Sequence, residues 1–191
     1  MRKDIILCGV GGQGTVLASR LISGAAMARE LPVLSAETIG MAQRGGSVCS
    51  HLRLGAGVYS PMLARGECDL ILAFEPGEAV RMLPWLKEGG RVVVSCRPVM
   101  PVTAALGGSA YSGDEMVEYL KAHVPNLVLV DADKALAEVG SPKVLNLVLL
   151  GAALYSEALG FTKEEIEAQI REKIPAKFHE LNFRALNWAA E

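Results

Sequence analysis

The sequence predicts an α/β fold with a mostly parallel sheet and a helical C-terminal part at about residues 141–191. Strand-like and helix-like segments alternate along the first two thirds of the chain, which is typical of crossover units around a parallel sheet. Two strand-like segments, "CDLILAF" and "RVVVSC", are almost continuously apolar, as strands buried on both faces are. No internal repeat or low-complexity linker interrupts the pattern, so we expect one domain over residues 1–191.

The first half of the chain supplies its predicted elements in a regular order. "DIILCG" is a short apolar run that ends in glycine, and "GTVLASRLISGAAMARE" carries apolar residues at helical spacing. "LPVLSAE" predicts a second strand, and "SVCSHLRLG" alternates at period two, with "GVYSP" as the candidate return strand of a hairpin. The two apolar strands follow, joined by "PGEAVRMLPWLKEGG", which predicts a short helix ended by glycines.

Helix signals dominate the rest of the chain. "SGDEMVEYLKAH" predicts a helix in which Ser112 and Glu115 have capping-box spacing, and "LVLVD" predicts a further strand. Three helical segments complete the chain, and the second opens with the capping-box pair Thr162 and Glu165. In the last segment, one stripe at helical spacing predicts the buried face: Phe178, Leu181, Asn182, Ala185, Leu186 and Ala189. Phe183 points away from this stripe, which favours either a partner surface or an isolated exposed aromatic residue.

Composition narrows the classes of function. The chain has 19 basic and 21 acidic residues and is 51% hydrophobic, which disfavours both a nucleic-acid partner and a disordered chain. Its longest apolar stretch, residues 144–155, is about a dozen residues, short of the roughly 20 that a membrane-spanning helix needs. The apolar run at the N-terminus is too short for a signal peptide. We therefore expect a soluble, cytoplasmic protein with no membrane partner.

The cysteines predict no metal centre. Cys8, Cys49, Cys68 and Cys96 are scattered and form no C-x-x-C pair, so their spacing fits neither a zinc site nor an iron–sulfur cluster. Three of them lie in or beside apolar strand-like runs, where a small buried thiol is the ordinary interpretation. We therefore expect the protein to work in a reducing compartment.

A glycine-rich turn follows the first predicted strand and opens the first predicted helix. Gly9, Gly11 and Gly14 fit the G-x-G-x-x-G pattern, and Glu37 ends the second strand 23 residues after Gly14. Such a turn lets backbone N–H groups approach a pyrophosphate at the positive end of a helix. The alternative is a closely packed turn that binds nothing. The residues expected to contact an anion or coenzyme A are Gly9, Gly11, Gly12, Gln13, Gly14 and Thr15.

The loop at residues 40–51, "GMAQRGGSVCSH", has a composition that a plain connection does not need. Arg44 and the glycines beside it can present a guanidinium and free N–H groups to an anion or a partner carboxylate. On the strand that follows, Ser47, Cys49, His51 and Arg53 share one face, which is alternatively a solvated face. The positions expected to face a ligand or a subunit junction are Glu37, Met41, Gln43, Arg44, Gly45, Gly46, Ser47 and His51.

Three further features have both a functional and a structural interpretation. His51 suits a proton donor, although a single histidine on a strand is more often a structural hydrogen-bonding group. Glu75 ends a predicted parallel strand, where ligands bind, and it equally suits the cap of the following helix. Residues 97–111 are too many and too apolar for a simple connector, which favours a flap or a subunit contact.

Several of these segments together resemble the gamma-type subunit of 2-oxoacid:ferredoxin oxidoreductases, in particular the indolepyruvate branch. They are "GVGGQGTVLASRLI", "ETIGMAQRGGSVCSHLR", "VYSP", "DLILAFEPGEAVRMLPWLKEGGRVVV" and "RPVMPVTAALGG". The G-M-x-Q-R-G-G-S-V block and the "AFEP" strand end are the specific parts. The resemblance covers nearly the whole chain and becomes weaker only in the C-terminal helices.

The resemblance implies a Rossmann-like three-layer domain and a division of labour between chains. Thiamine diphosphate and the [4Fe-4S] clusters belong on a large (alpha) subunit, and the assembled enzyme oxidatively decarboxylates a 2-oxoacid, such as an aryl pyruvate, to an acyl-CoA. Electrons pass to ferredoxin through the holoenzyme, in anaerobic metabolism, and coenzyme A is a co-substrate. This chain would hold no cofactor firmly, support assembly, lie near the coenzyme A path and be inactive alone.

Two other possibilities follow from the residues. The first is a stand-alone Rossmann-type oxidoreductase that binds a nucleotide on the Gly9–Gly14 turn, with Glu37 on the ribose. It leaves the loop at 40–47 unexplained, and the sequence has no Ser/His/Asp arrangement or Tyr-x-x-x-Lys pair. The second is a homodimer of the isolated chain through its apolar C-terminal helices.

Overall fold

A computed structural model of the chain describes residues 2–39, 45–101, 104, 107 and 110–190. Within these residues, six strands form one sheet in the order β2-β3-β1-β4-β5-β6. Strand β3 runs antiparallel to both of its neighbours, whereas β1, β4, β5 and β6 are parallel. The predicted mostly parallel sheet is therefore confirmed. The strands are β1 (Lys3–Val10), β2 (Val33–Ile39), β3 (Ser47–Leu54), β4 (Cys68–Ala73), β5 (Leu86–Ser95) and β6 (Leu127–Val130).

Helices cover both faces of this sheet and fill the C-terminal part, as predicted. In the described residues they are α1 (Thr15–Ala28), α2 (Pro76–Met82), α3 (Gly113–His123), α4 (Ala132–Val139), α5 (Leu145–Tyr155), α6 (Lys163–Lys173) and α7 (His179–Asn187). None of these described helices has the length and apolar content needed to cross a membrane.

Helix caps explain where several helices begin. The side chains of Glu75, Ser112 and Thr162 each accept a hydrogen bond from the backbone N–H three residues further on. At Thr162 the bond is reciprocated by Glu165, so this capping box is complete. The predicted caps are therefore confirmed at all three positions.

Three segments differ from their predictions. Helix α2 ends at Met82, earlier than expected, because Pro84 lacks the N–H group that a continuing helix requires. Residues 55–67 contain no strand, since both edges of β3 are already paired and leave none for a returning "GVYSP" segment. Helix α4 was not predicted, although Asp131 caps its start and Gly140 its end.

The core lies on both sides of the sheet, as the alternation of side chains along β1 requires. Ile5 and Leu7 point into a large cluster that includes α1, α5, α6 and α7. Ile6 and Cys8 point into a smaller one that includes α2, α3 and Leu63. The result is a three-layer arrangement of helices, sheet and helices.

Helix α7 is more enclosed than the sequence predicts. Phe183 is partly buried against the larger cluster, and the guanidinium carbon of Arg171 lies 4.8 Å from its ring centroid. The prediction that Phe183 points away from the core was wrong, because α7 packs against α4, α5 and α6 and not against a single surface. Phe178 is 44% exposed because it precedes the helix, in a short 3-10 turn.

The position of β3 distinguishes this sheet from a standard dinucleotide-binding domain. In that arrangement the second strand lies directly beside the first. Here β3 lies between them, so the axes of β1 and β2 are two strand spacings apart, about 10 Å. Both strands nevertheless end at the same edge of the sheet, which places Glu37 on the side of the glycine-rich turn.

Candidate functional site

The glycine-rich turn joins β1 to α1 and requires glycine for two separate reasons. Gly12 and Gly14 have φ angles of +102° and +86°, in the left-handed region that other residues avoid. Gly9 has no room for a side chain, because an added Cβ would lie 2.7 Å from the Cβ of Phe74 on the neighbouring chain segment. A residue other than glycine would therefore be strained at some positions of the turn and would lack space at others.

A cleft of about 420 Å³ lies above this turn. Helix α1 begins there with Gly14 as its N-cap, and neither a capping side chain nor an acidic residue occupies its first turn. The first N–H groups of a helix have no partner within the helix and carry partial positive charge, which suits an anion. The cleft is lined by Gly11, Gly12, Gly14, Thr15, Val16, Glu37, Thr38, Val48 and Ser50.

Glu37 also lines this cleft. Its exposed carboxylate lies near the end of β2, opposite Ser50 of β3 in the sheet register. A carboxylate accepts hydrogen bonds from hydroxyl groups and repels phosphates. The cleft therefore combines the start of a helix, which suits an anion, with a carboxylate, which suits a neutral group with hydroxyls.

Gln13 has a structural role in the turn. Its Oε1 accepts a hydrogen bond of 2.7 Å from the N–H of Val10, and its Nε2 donates one of 3.0 Å to the carbonyl of Phe74. Both ends of the amide are thus used to hold β1 against β4. The expectation that the Gln13 side chain contacts an anion is not supported by these bonds.

The structure brings the two sequence motifs together. The N–H of Gly11 donates to the carbonyl of Gly46 at 2.9 Å, so the start of β3 lies against the glycine-rich turn. Ser47 donates from its Oγ to the Glu78 carboxylate at 2.6 Å. Three other predicted residues of this loop, Met41, Gln43 and Arg44, lie outside the described residues.

A second cavity, of about 380 Å³, lies beside the first one. It is lined by Val10, Gly45, Ser47, Glu75, Gly77, Glu78, Arg81, Val99, Pro101, Tyr111 and Met116. Glu75 is 3% exposed and caps α2 through the N–H of Glu78 at 2.9 Å. It also accepts a hydrogen bond from the Tyr111 hydroxyl. The structural interpretation of Glu75 is therefore confirmed.

Tyr111 and Glu78 were not identified from the sequence. Burial and the hydrogen bond to Glu75 raise the pKa of the Tyr111 hydroxyl well above its ordinary value. Glu78 is mostly buried. Its position could have been recognised from the sequence, since an acidic residue three positions after an N-cap is common in the first turn of a helix. No sequence pattern pointed to Tyr111, because its partner is 36 residues away.

The polar face of β3 is buried in its C-terminal half, at His51 and Arg53. His51 is 4% exposed, and its Nδ1 accepts a hydrogen bond of 3.2 Å from the N–H of Leu63. Burial and then the charge of Arg53 lower the pKa of the His51 ring. Arg53 itself is 2.9 Å from Asp4 and 3.2 Å from Glu67. These contacts support the structural interpretation of His51, and its place at a ligand or subunit junction stays a prediction.

Among the residues that the structure describes, no group of three or more His, Cys, Asp and Glu side chains is placed to hold a metal ion. Cys8 and Cys68 are buried, while Cys49 and Cys96 are partly exposed. Burial raises the pKa of the Cys68 thiol to about 12, so it stays protonated at neutral pH. The cleft above the glycine-rich turn, which joins an uncapped helix start to a carboxylate, is the candidate ligand site.

The chain is similar to known proteins in both sequence and structure. The family model described as "Pyruvate ferredoxin/flavodoxin oxidoreductase" matches residues 4–191. The chain is 37% identical over 187 residues to the indolepyruvate oxidoreductase subunit IorB of Archaeoglobus fulgidus, covering 97% of this chain and 92% of that protein. This is the resemblance that the sequence motifs predicted.

Two solved structures share the fold. The gamma subunit of a keto/oxoacid ferredoxin oxidoreductase from Geobacter sulfurreducens has a TM-score of 0.70 at 23% identity and covers 98% of this chain and 95% of its own. A 2-oxoglutarate:ferredoxin oxidoreductase from Magnetococcus marinus, solved with 2-oxoglutarate, coenzyme A and succinyl-CoA bound, has a TM-score of 0.71 at 18% identity. It matches 99% of this chain over 30% of its own length. The sequence matches, which cover almost every residue, show that the chain belongs to the pyruvate ferredoxin/flavodoxin oxidoreductase family.

Proposed function

We propose that this chain is the gamma-type subunit of a 2-oxoacid:ferredoxin oxidoreductase that acts on an aryl pyruvate such as indolepyruvate. The assembled enzyme would convert a 2-oxoacid, coenzyme A and two oxidised ferredoxins into an acyl-CoA, carbon dioxide, two reduced ferredoxins and a proton. The observation that carries this proposal is the 37% identity to a named indolepyruvate oxidoreductase subunit over nearly the full length of both proteins.

We assign thiamine diphosphate to the large subunit by analogy with the family, and iron–sulfur clusters do not fit the described residues of this chain. A cluster needs several cysteine thiolates around one point, whereas Cys8, Cys68 and Cys96 lie on different strands or beyond them. We therefore place the carbon–carbon bond cleavage and the electron transfer on the large subunit. The work of this chain is binding and assembly.

Coenzyme A is the ligand proposed for the cleft above the glycine-rich turn. Its pyrophosphate would lie at the start of α1, where the N–H groups of Thr15 and Val16 are available in the first helical turn. Coenzyme A is present in the Magnetococcus marinus structure, which contains this fold. A volume of about 420 Å³ is in the range of ligand pockets but smaller than the whole coenzyme. The remainder would extend towards the large subunit.

Glu37 limits how coenzyme A can lie in this cleft. The 3′-phosphate on the ribose is an anion and would be repelled by the Glu37 carboxylate. We therefore orient the adenosine end away from β2, so that the pyrophosphate contacts α1 and the phosphorylated ribose stays clear of Glu37.

A stand-alone nucleotide-dependent oxidoreductase is the second candidate. It is favoured by one observation, namely that Glu37 shares a cleft with the glycine-rich turn. It is disfavoured by the strand order, since β3 separates β2 from β1. It also receives no support from His51, which is buried beneath residues 55–67 and does not line the cleft.

The first test is co-expression of this chain with its large subunit, followed by an assay of coenzyme A-dependent reduction of a viologen dye by indolepyruvate. We expect activity only when both chains are present. Arg44→Ala should reduce this activity strongly, because we propose Arg44 as the charged contact of the loop at a ligand or subunit junction. Arg20→Ala, a change at an exposed position on α1, is the control. Turnover of a nucleotide by the isolated chain would contradict the proposal.

A further inference from the structure

Cys8 and Cys49 lie directly opposite each other in the sheet. Strands β1 and β3 are antiparallel, and their register pairs Cys8 with Cys49. Directly opposite residues of an antiparallel pair point to the same face. Both side chains accordingly lie in the smaller core cluster on the α2 side of the sheet.

The hydrogen-bond pattern places the two cysteines at a closely spaced position. The N–H of Gly11 donates to the carbonyl of Gly46, its opposite residue, and such hydrogen-bonded pairs alternate with non-hydrogen-bonded ones. Counting back along the register makes Cys8 and Cys49 a non-hydrogen-bonded pair. The carbonyl of Cys8 indeed accepts a 2.8 Å bond from Phe74 on the opposite side of β1. At such positions the Cα atoms are about 4.5 Å apart, within the range of roughly 4.4–6.8 Å that a disulfide requires.

The two thiols differ in their access to solvent. Cys8 is fully buried, whereas Cys49 is partly exposed, with its Sγ 3.9 Å from the Sδ of Met82. An oxidant therefore reaches Cys49 first, and Cys8 is the thiol beside it. The other cysteines have no such partner, because Cys68 pairs with Leu86 in the sheet and Cys96 follows the end of β5.

We propose that Cys8 and Cys49 form an intramolecular cross-strand disulfide when the chain is exposed to a peroxide. The Cys49 thiolate attacks one oxygen of hydrogen peroxide, the O–O bond breaks, and a sulfenic acid and hydroxide are formed. The hydroxide takes up the proton that the thiol had released and becomes water. The Cys8 sulfur then attacks the sulfenic sulfur and displaces a second water. The two thiols lose two electrons in total, and one hydrogen peroxide is reduced to two waters.

This oxidation is slow at neutral pH. Burial and then the nearby carboxylate of Glu78 raise the pKa of the Cys49 thiol to about 11. The pKa of Cys8 is raised well above its ordinary value, first by burial and then by Cys49, Glu78, Cys68 and Glu75. Since the thiolate is the reactive form, only roughly one Cys49 in ten thousand is in the reactive state at pH 7. The rate should rise about tenfold for each pH unit up to the pKa.

The bond would lie at the base of the candidate site. Cys8 immediately precedes Gly9, and the strand that carries Cys49 begins at Ser47, which donates to Glu78. A covalent link between β1 and β3 would therefore hold the glycine-rich turn and the start of β3 together. This inference rests on the sheet register and does not depend on the proposed enzyme.

Oxidation of the full chain with hydrogen peroxide, followed by thiol alkylation, trypsin digestion and mass spectrometry, tests this proposal. Cys8 lies in the tryptic peptide 4–20 and Cys49 in the peptide 45–53. We expect these two peptides to become linked, with a loss of two hydrogens and a yield that does not change on dilution. Formation should be about ten times faster at pH 8 than at pH 7.

Cys96→Ser is the matched control, because Cys96 is also partly exposed but has no cysteine opposite. It should leave the link intact, whereas Cys49→Ser should abolish it and leave Cys8 as a free thiol. The proposal is overturned if Cys49 is recovered as a sulfinic acid beside a free Cys8. It is equally overturned if Cys49 links to Cys68, to Cys96 or to a second copy of the chain.

Discussion

At the scale of single residues, both the backbone conformation and the neighbouring atoms at position 14 require glycine. A Cβ at this position would lie 2.9 Å from the Nδ2 of Asn146 and 3.3 Å from its Cβ. Gly14→Ala therefore combines left-handed strain, about 1–2 kcal/mol, with a clash that the short Asn146 side chain cannot avoid. We expect the free energy of unfolding to fall by more than the strain alone, as measured by urea denaturation.

Gly140 provides the control for Gly14. Its φ and ψ of 82° and 19° nearly equal the 86° and 23° of Gly14, but a Cβ there would meet no atom within 4 Å. Gly140→Ala should therefore lower the free energy of unfolding only by the cost of the backbone strain. Equal losses in the two variants would mean that the contact with Asn146 has no energetic importance.

Substitutions of Val16 can separate an effect on ligand binding from an effect on the stability of the fold. It lines the cleft in the first turn of α1, where an acidic side chain stabilises a helix and repels a bound anion. Val16→Glu should therefore weaken coenzyme A binding to the two-subunit enzyme about tenfold or more, without lowering the melting temperature. Isothermal titration calorimetry and a thermal melt measure these two effects.

The neutral variant Val16→Gln introduces a side chain of nearly the same shape as glutamate. It therefore separates the effect of the negative charge from the effect of side-chain size. It should bind coenzyme A much more tightly than Val16→Glu, and the difference should shrink at high salt. If both variants bind coenzyme A as the unchanged protein does, the pyrophosphate does not lie at the start of α1.

Single residues were predictable where their role is local in sequence. The cap at Glu75 follows from its place between a strand and a helix that begins with proline. The roles of Gln13 and His51 were not predictable, because their partners, Phe74 and Leu63, reach them only through the folded sheet and loop. The residue types show that these side chains can form hydrogen bonds, but they do not identify the partners.

At the scale of elements, Tyr111 fastens the segment before α3 to the start of α2. Its hydroxyl donates to the buried Glu75, and its raised pKa means that folding favours the protonated phenol. The resulting stability is present below the unfolded pKa of about 10 and is lost as the pH rises above it. Urea denaturation at about pH 8 and pH 10.5 should show this loss in the unchanged protein.

Tyr111→Phe removes the titrating group and keeps the ring. We expect it to cost about 1–3 kcal/mol at pH 8, because the Glu75 carboxylate loses a donor inside the protein. It should also show a smaller loss of stability between the two pH values than the unchanged protein. The same pH dependence in both proteins would indicate that other groups are responsible.

Elements were predictable where the chain pattern alone determines them. The apolar runs of β4 and β5 and the capping box of α6 needed no tertiary information. Helix α4 was missed because eight residues with a short apolar stripe give a weak periodic signal. The "GVYSP" strand was wrongly expected because the pairing of β3 on both sides is a property of the sheet.

At the scale of the whole molecule, the strand order disfavours a stand-alone nucleotide-binding enzyme. Sequence motifs predict a glycine-rich turn and an acid at the end of the second strand for either of the two functions considered. Only the sheet shows that β3 separates these features by about 10 Å between strand axes. The order of strands is not readable from the sequence, because alternation of elements is compatible with several arrangements of the same strands.

This separation predicts the effect of Glu37 on ligand binding. In a standard dinucleotide-binding domain the acid holds the ribose hydroxyls, so Glu37→Gln would weaken nucleotide binding. Here we expect Glu37→Gln to bind coenzyme A as tightly as the unchanged protein or more tightly, because a charge that repels the 3′-phosphate is removed. Titration calorimetry on the two-subunit enzyme, with coenzyme A and dephospho-coenzyme A compared, measures this effect. Any gain should be larger for coenzyme A, since only it carries the 3′-phosphate. Weaker binding of both ligands would place the ribose on Glu37 and restore the nucleotide-binding alternative.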